Sequence, residues 1–393
     1  KDIAIGHWRL KADGKEIETG DLPELDLAPG ATTQLTIPVK AFTAQPGAEY
    51  FLELSFTLKQ DQSWAKAGHE IAWDEFRLPD ASPLPAAPVQ AMPSLKLTPD
   101  DARVVVTGKG FEVTFDKKAG TLASLQFKGV QLINTPLRPD FWRAPTDNDR
   151  GRNMAKSQGI WRTAHEDAQV QSVTVEEESR LRAVTVKVAL KLPKVDAEWE
   201  TSYTVYGSGD ITVNARFKPS RTNLPQLVRM GMQMTIPAGF EKITWCGPGP
   251  QETYCDRKDA KVGIYSGTVE DQFFARYTEP GESGNKVDVR WVTLTNSNGL
   301  GLLAVGQPLL SVNALHYTTD DLQNAKHAFQ LKHRDFVTLN LDLKQQGAGG
   351  DDSWGAWPHP EYLIPCAPYS YQFRLRPFDS NDDPAKLARS AGF

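Results

Sequence analysis

Val184-Thr185-Val186-Lys187-Val188-Ala189-Leu190-Lys191-Leu192 alternates large apolar side chains with small or polar ones. Successive side chains of an extended chain point to opposite faces, so this period of two predicts a strand with one face on a core and the other toward water. Wound into a helix, the same apolar residues would scatter around the cylinder. Ile211, Val213, Ala215 and Phe217 repeat the pattern, and so do Val337, Leu339, Leu341 and Leu343. Ser208-Gly209-Asp210 and Asp116-Lys117-Lys118-Ala119-Gly120 are turn signals between such runs. Almost no segment has a 3.6-residue period before a short stretch after Pro384. Residues 100–380 are therefore expected to form one large all-β domain of two packed antiparallel sheets, with 381–393 as a tail.

Upstream, prolines stand at positions 79, 83, 85, 88, 93 and 99. Proline fixes φ and lacks an amide donor, so 80–99 reads as an extended linker and a domain boundary. Before it, Leu52, Leu54, Phe56 and Leu58 alternate with polar residues, as do Leu35, Ile37 and Val39. Ala12-Asp13-Gly14-Lys15 is a tight hairpin signal. Residues 1–79 are expected to form a small β-sandwich lacking its first strand, which leaves an open edge.

The length of 393 residues suggests two or three domains, and 40% hydrophobic with 24% charged residues is ordinary for a soluble globular chain. Lys and Arg total 44 against 49 Asp and Glu, a net charge of -5 with no basic block, so no nucleic-acid partner is expected. No apolar run approaches the roughly 20 residues of a membrane-spanning helix. Cys246, Cys255 and Cys366 have neither disulfide-framework nor zinc spacing, and buried thiols are the expectation, which leaves the redox compartment undetermined. The start Lys1-Asp2-Ile3 resembles neither an initiator nor a signal peptide, so the chain reads as a piece of something larger whose compartment, cytoplasm or periplasm, is open.

Three segments break the strand rhythm: Phe141 to Gly151, Gly247 to Arg257 and Gly347 to Gly355. Loops on a β scaffold commonly carry binding residues. Asp147, Asn148 and Asp149 offer oxygen ligands for a hard cation, but a turn whose side chains bond the backbone is favoured, and no metal site is assigned. Glu252 and Asp256 invite a paired acid and base, yet carboxylates held by Arg257 or by amides are favoured. Trp354, after Asp351 and Asp352, either presents a ring to a sugar or plugs the end of a sandwich, and the residues alone leave that open. The seven histidines show no metal-ligand spacing.

Taken in order, Trp142-Arg143-Ala144-Pro145-Thr146-Asp147-Asn148-Asp149, Gly247 to Arg257 and Gly349-Gly350-Asp351-Asp352-Ser353-Trp354 resemble the carboxy-terminal part of large bacterial β-galactosidases of glycoside hydrolase family two. Thr253 and Cys255 depart from the family's usual Asn and Pro. The resemblance implies an immunoglobulin-like sandwich followed by a large supersandwich of the galactose-mutarotase-like type. It implies hydrolysis of terminal β-D-galactosides with retention by the intact enzyme, whose two glutamates, magnesium and sodium belong to a preceding (β/α)₈ barrel. This chain contains no Asn-Glu dipeptide of the kind that marks the acid/base residue, so alone it is expected to be inactive and cofactor-free. Its implied partners are the β-galactoside, the barrel part of the same protein and a homo-oligomer.

By the same resemblance Trp354 is the substrate platform, with Asp351 and Asp352 as its supporting loop. Trp142, Arg143, Asp147, Asn148, Asp149, Glu252, Tyr254, Asp256 and Arg257 are expected to be structural. Two alternatives stand beside it. One is a non-catalytic carbohydrate-binding module; the other is an aldose-epimerase-like enzyme pairing His316 or His333 with Glu252 or Glu282.

Overall fold

A computed structural model describes residues 3–79, 92–178, 182–352 and 354–390. The chain is all-β apart from short helices, and it divides into two compact units. One comprises Lys1–Ala87 with Lys261–Ile264 and Arg389–Phe393; the other comprises Pro88–Ala260 and Tyr265–Ala388.

The first unit contains an antiparallel sheet of β1 (Ala4–Ala12), β2 (Lys15–Asp21), β3 (Tyr50–Leu58) and β4 (Glu70–Arg77), in the order β2-β1-β3-β4. Asp13 (φ 48°) and Gly14 (φ 76°) close the β1–β2 hairpin, the left-handed pair that a two-residue turn needs to match strand twist. Trp8, Leu10 and Leu22 form its core. The alternation at Leu35, Ile37 and Val39 predicts a strand, but the segment joins no ladder. It keeps the period of two in its burial and packs those three side chains on the core without a pairing partner.

The linker expectation for 80–99 meets the structure only at its end, since 80–91 lie outside the described residues. There Lys96–Pro99 is a strand, β5, paired with β6 (Arg103–Gly108), so the ladder begins before residue 100. Pro99 is tolerated as its last residue. Next come β7 (Phe111–Asp116), β8 (Thr121–Phe127), β9 (Val130–Gln131), β10 (Thr135–Asp140), β11 (Gln169–Glu178), β12 (Ala183–Leu192), β13 (Ala197–Tyr206) and β14 (Ile211–Pro219). The series ends with β15 (Arg229–Pro237), β16 (Lys242–Gly249), β17 (Lys261–Thr268), β18 (Lys286–Thr295), β19 (Gly301–Leu315), β20 (Phe336–Gln345) and β21 (Tyr369–Phe378).

Two antiparallel series face each other. One runs β11-β12-β13-β14-β21-β19-β18-β16, and the other runs β8-β10-β15-β20-β19. β19 belongs to both: Gly301–Gln307 pair with β21, and Ser311–Leu315 pair with β20. The change of partner falls at Pro308, which has no amide to donate to a ladder. The apolar faces read from sequence are buried between the series: Val184, Val186, Val188, Leu190 and Leu192 from β12, with Ile211, Val213, Ala215 and Phe217 from β14. Phe141 packs on Trp199, Phe217 and Trp161, with ring centroids 5.6, 5.3 and 5.8 Å away, and so anchors the base of the first motif loop in this core. The short period expected after Pro384 is a helix, Pro384–Arg389.

Candidate functional site

The first motif loop leaves the core at Phe141 and is driven inward by an arginine. Arg143 is fully buried and meets Asp149 in a two-pronged pair, Nε to Oδ2 and Nη2 to Oδ1, both 2.9 Å. Its remaining donors reach the carbonyls of Gln346 (2.7 Å) and Gly347 (2.9 Å), so one guanidinium holds the first loop onto the third. Arg152 closes on Asp149 from the other side. Local sequence supports this fold. Thr146 caps the turn Asp147–Gly151 by accepting from the Asp149 amide, and Asp149 accepts in return from the Thr146 amide, a reciprocal cap. Burial raises the Asp149 pKa, but the charges and hydrogen bonds of Arg143 and Arg152 outweigh it, leaving the carboxyl below its ordinary value.

The residues weighed as cation ligands therefore separate. Asp149 serves the arginines, Asn148 donates to the Ala348 carbonyl at 3.0 Å, and Asp147 pairs on the surface with Arg150 at 3.2 Å. Glu252 and Asp256 separate too. Asp256 accepts from the amides of Ala348 (3.0 Å) and Gly349 (2.7 Å), clamping the second loop onto the third. Glu252 accepts from the Gly284 amide at 2.7 Å and is bonded by Arg257 and the Tyr277 hydroxyl. A Cβ on Gly347 would lie 2.5 Å from Asp256 Oδ2, which is why the third loop opens on glycine. Thr253 accepts from the Val287 amide through its hydroxyl (3.0 Å), and Cys255 is a half-buried thiol whose pKa burial pushes up to about 11.

Where the loops meet, a cavity of about 340 Å³ is lined by Asn148, Tyr254, Arg257, Tyr277, Glu279 and Ala348, among others. Tyr254 lies under the Arg257 guanidinium, 5.1 Å from its ring centroid, and its buried hydroxyl has no hydrogen-bond partner among the described residues. Sequence reading names Glu282 as a candidate acid or base but passes over Tyr277 to Gly281; the signal of that stretch is the Pro280-Gly281 break between β17 and β18. Arg150 ties that stretch to the first loop, donating to the Pro280 carbonyl at 2.6 Å and pairing with Glu279 at 3.1 Å.

Beneath the loops a second buried cluster, marked by no motif, surrounds Arg229. Asp140 (3.1 Å), Glu282 (2.8 Å) and Asp342 (3.2 Å) all face this one cation. Asn313 and Gln345 each donate to Glu282 at 3.0 Å. For Asp342 burial dominates, and the charges of Asp140 and Glu282 add to it against Arg229, so its carboxyl is pushed well above the usual range. Glu282 is thus committed to Arg229. His316 and His333 face Glu241 (2.7 Å) and Glu270 (3.4 Å), so neither the Glu282 nor the Glu252 pairing considered for an epimerase is the contact these histidines make.

The third loop ends in Trp354, whose side chain is 90% exposed, which excludes a plug in the sandwich. Its turn is held by Asp352, which accepts from the amides of Trp354 (2.8 Å) and Ala356 (3.2 Å), and Asp351 meets His359 at 2.8 Å. Ser353 lies outside the described residues. Trp357 differs from Trp354, for the Arg152 guanidinium covers its ring at 4.9 Å.

Residues 107–375 match the family described as the beta galactosidase small chain, and residues 2–79 match β-galactosidase domain 4. A β-galactosidase of Priestia megaterium is 36% identical over 373 residues, covering 94% of this chain and 36% of that protein. One of Halalkalibacterium halodurans is 34% identical over 324 residues, 80% of this chain and 31% of that protein. One of Streptococcus thermophilus is 30% identical over 376 residues, 94% and 36% respectively. The chain thus spans about a third of the length of the curated relatives it matches. With that match extending over most of its second unit, the chain belongs to the β-galactosidase small chain family.

Proposed function

We propose that this chain is the carboxy-terminal part of a β-galactosidase, and that it completes the substrate site of a retaining enzyme whose catalytic glutamates lie in a preceding barrel. The observation that carries the reading is Trp354, a large aromatic side chain left 90% exposed at the tip of a loop that is tied down at its base and at the Asp352 turn. Exposing an indole forgoes its burial energy, roughly 1.5 to 3 kcal/mol for a large apolar side chain, and a sugar's apolar face is a surface that regains it. Arg143, Asn148 and Asp256 hold the base of that loop by four hydrogen bonds to its backbone, and Asp352 holds its tip, so the ring is offered from a fixed support. In this reading the carboxylates of the three loops do no proton transfer. They orient a wall against which the galactoside is positioned, and positioning is itself a large part of catalysis.

The test is hydrolysis of a chromogenic β-galactoside by this chain alone and after mixing with a polypeptide supplying the preceding domains. Activity confined to the mixture supports the proposal. Turnover by the chain alone would place a catalytic pair within these residues and overturn it. Lectin-like sugar binding by the chain with no complementation would favour the carbohydrate-binding alternative.

A further inference from the structure

Four loops of the second unit converge on a cluster that no motif announces. Glu241 lies between β15 and β16, Glu270 opens the short turn Glu270–Gln272 after β17, His316 follows β19, and His333 precedes β20. One ligand-type atom from each of Glu270, His316 and His333 lies within 4.8 Å of the others. Glu241 Oε2 stands 2.7 Å from His316 Nε2. We propose that these residues form a binding site for a divalent transition-metal ion of the zinc type, with His316 and His333 as nitrogen ligands, Glu270 as an oxygen ligand and Glu241 completing the set.

The chemistry is that of a four-coordinate site. Two imidazoles and two carboxylates suit a borderline cation such as Zn²⁺ and balance its double charge, whereas magnesium and calcium prefer all-oxygen shells. His316 carries the usual mark of a metal-binding imidazole. It is 4% exposed, and its Nδ1 lies 3.1 Å from the Phe336 carbonyl, an acceptor that fixes the proton on Nδ1 and turns the Nε2 lone pair toward the carboxylates. With that proton placed, a neutral ring has nothing on Nε2 to donate to Glu241. A cation taken between them gives both atoms a partner. The Glu241 carboxylate is itself oriented, since its Oε1 accepts from the Gly239 amide at 3.2 Å.

The scaffold fits this use. The Val269 amide donates to the Glu241 carbonyl (2.8 Å), and the Arg334 amide donates to the His316 carbonyl (2.9 Å), so the ligand-bearing loops are joined in pairs by their backbones. The imidazoles of His316 and His333 stack with centroids 4.2 Å apart and planes 30° from parallel, which holds the two rings against each other. The neighbouring cation does not compete, because Arg334 is engaged by Asp321 at 2.9 and 2.6 Å. Metal bonds of about 2.0 to 2.2 Å bring tetrahedral ligand atoms to roughly 3.3 to 3.6 Å of one another, so ligand atoms now within 4.8 Å must draw together by as much as about 1.5 Å. His316 is fixed, while the side chains of Glu241, Glu270 and His333 are 50, 60 and 55% exposed and free to make that adjustment.

The experiment strips the full chain with a chelator and titrates it with Zn²⁺ by calorimetry and with Co²⁺ by visible absorption, alongside His333→Ala and Glu270→Gln. Both substitutions fall on half-exposed side chains, and circular dichroism verifies that the variants are folded. The expected result is one ion bound per chain, a Co²⁺ spectrum of four-coordinate type, and at least tenfold weaker binding in each folded variant. Absence of that spectrum, or binding unchanged in both variants, overturns the proposal.

Discussion

Asp149 and Asp342 are both buried carboxyls beside arginines, and their surroundings drive them in opposite directions. Asp149 has two guanidiniums to itself and sits below its ordinary pKa; Asp342 shares Arg229 with Asp140 and Glu282 and sits well above. Linkage fixes the signs. The stability Asp149 contributes is complete above the unfolded carboxyl value and is lost as pH falls through its lowered folded value. That of Asp342 is present below the unfolded value and is lost as pH rises through its elevated one. Asp149→Asn, which strands two buried arginines, is expected to cost about 3 to 5 kcal/mol in urea unfolding at pH 7. Asp342→Asn, which copies a protonated acid, is expected to change stability by less than about 1 kcal/mol there and to remove the loss on going alkaline. An equal cost for both would show that the two carboxyls share one protonation state. The reciprocal cap of Thr146 and Asp149 is legible in the spacing of those residues. The convergence on Arg229 is not, because its partners lie 53 to 113 positions away in the sequence.

At the scale of elements, strands were readable wherever one face is buried and the other wet, as in β12 and β14. The Leu35, Ile37 and Val39 segment shows the limit of that reading. Alternation reports which side chains turn inward, whereas a ladder also needs a neighbouring backbone. Lys96–Pro99 shows the converse, a strand inside a proline-rich stretch, accommodated because its proline is terminal. The motif loops were legible as interruptions, but their joining was not, since Arg143 and Asp256 reach carbonyls and amides that every sequence possesses. Gly347→Ala is expected to destabilise the chain by about 1 to 3 kcal/mol, because its Cβ and the clamped Asp256 carboxylate would compete for one space. Phe141→Ala, which removes the ring anchoring the first loop, is expected to cost about 3 to 5 kcal/mol. Chemical denaturation monitored by tryptophan fluorescence measures both, and a neutral Gly347→Ala would mean that the loop has room its glycine does not use.

For the whole molecule, family membership was legible because three motif loops occur in order, each with its own Trp, Arg or Gly-Gly-Asp-Asp signature. What they do together depends on side chains folded in from the Tyr277 to Glu282 stretch and, in the reading proposed above, on preceding domains. Trp354 tests that division of labour, because its exposure separates function from folding. The direct measurement is kcat/KM for a β-galactoside with Trp354→Ala in the enzyme reconstituted with the preceding domains, paired with thermal unfolding of the variant chain. The account predicts a fall of roughly tenfold or more, equivalent to about 1.4 kcal/mol, with unfolding shifted by no more than the roughly 0.5 kcal/mol of an ordinary surface substitution. Unchanged kcat/KM in a folded variant would contradict the platform role of Trp354 and, with it, the claim that this chain completes the substrate site.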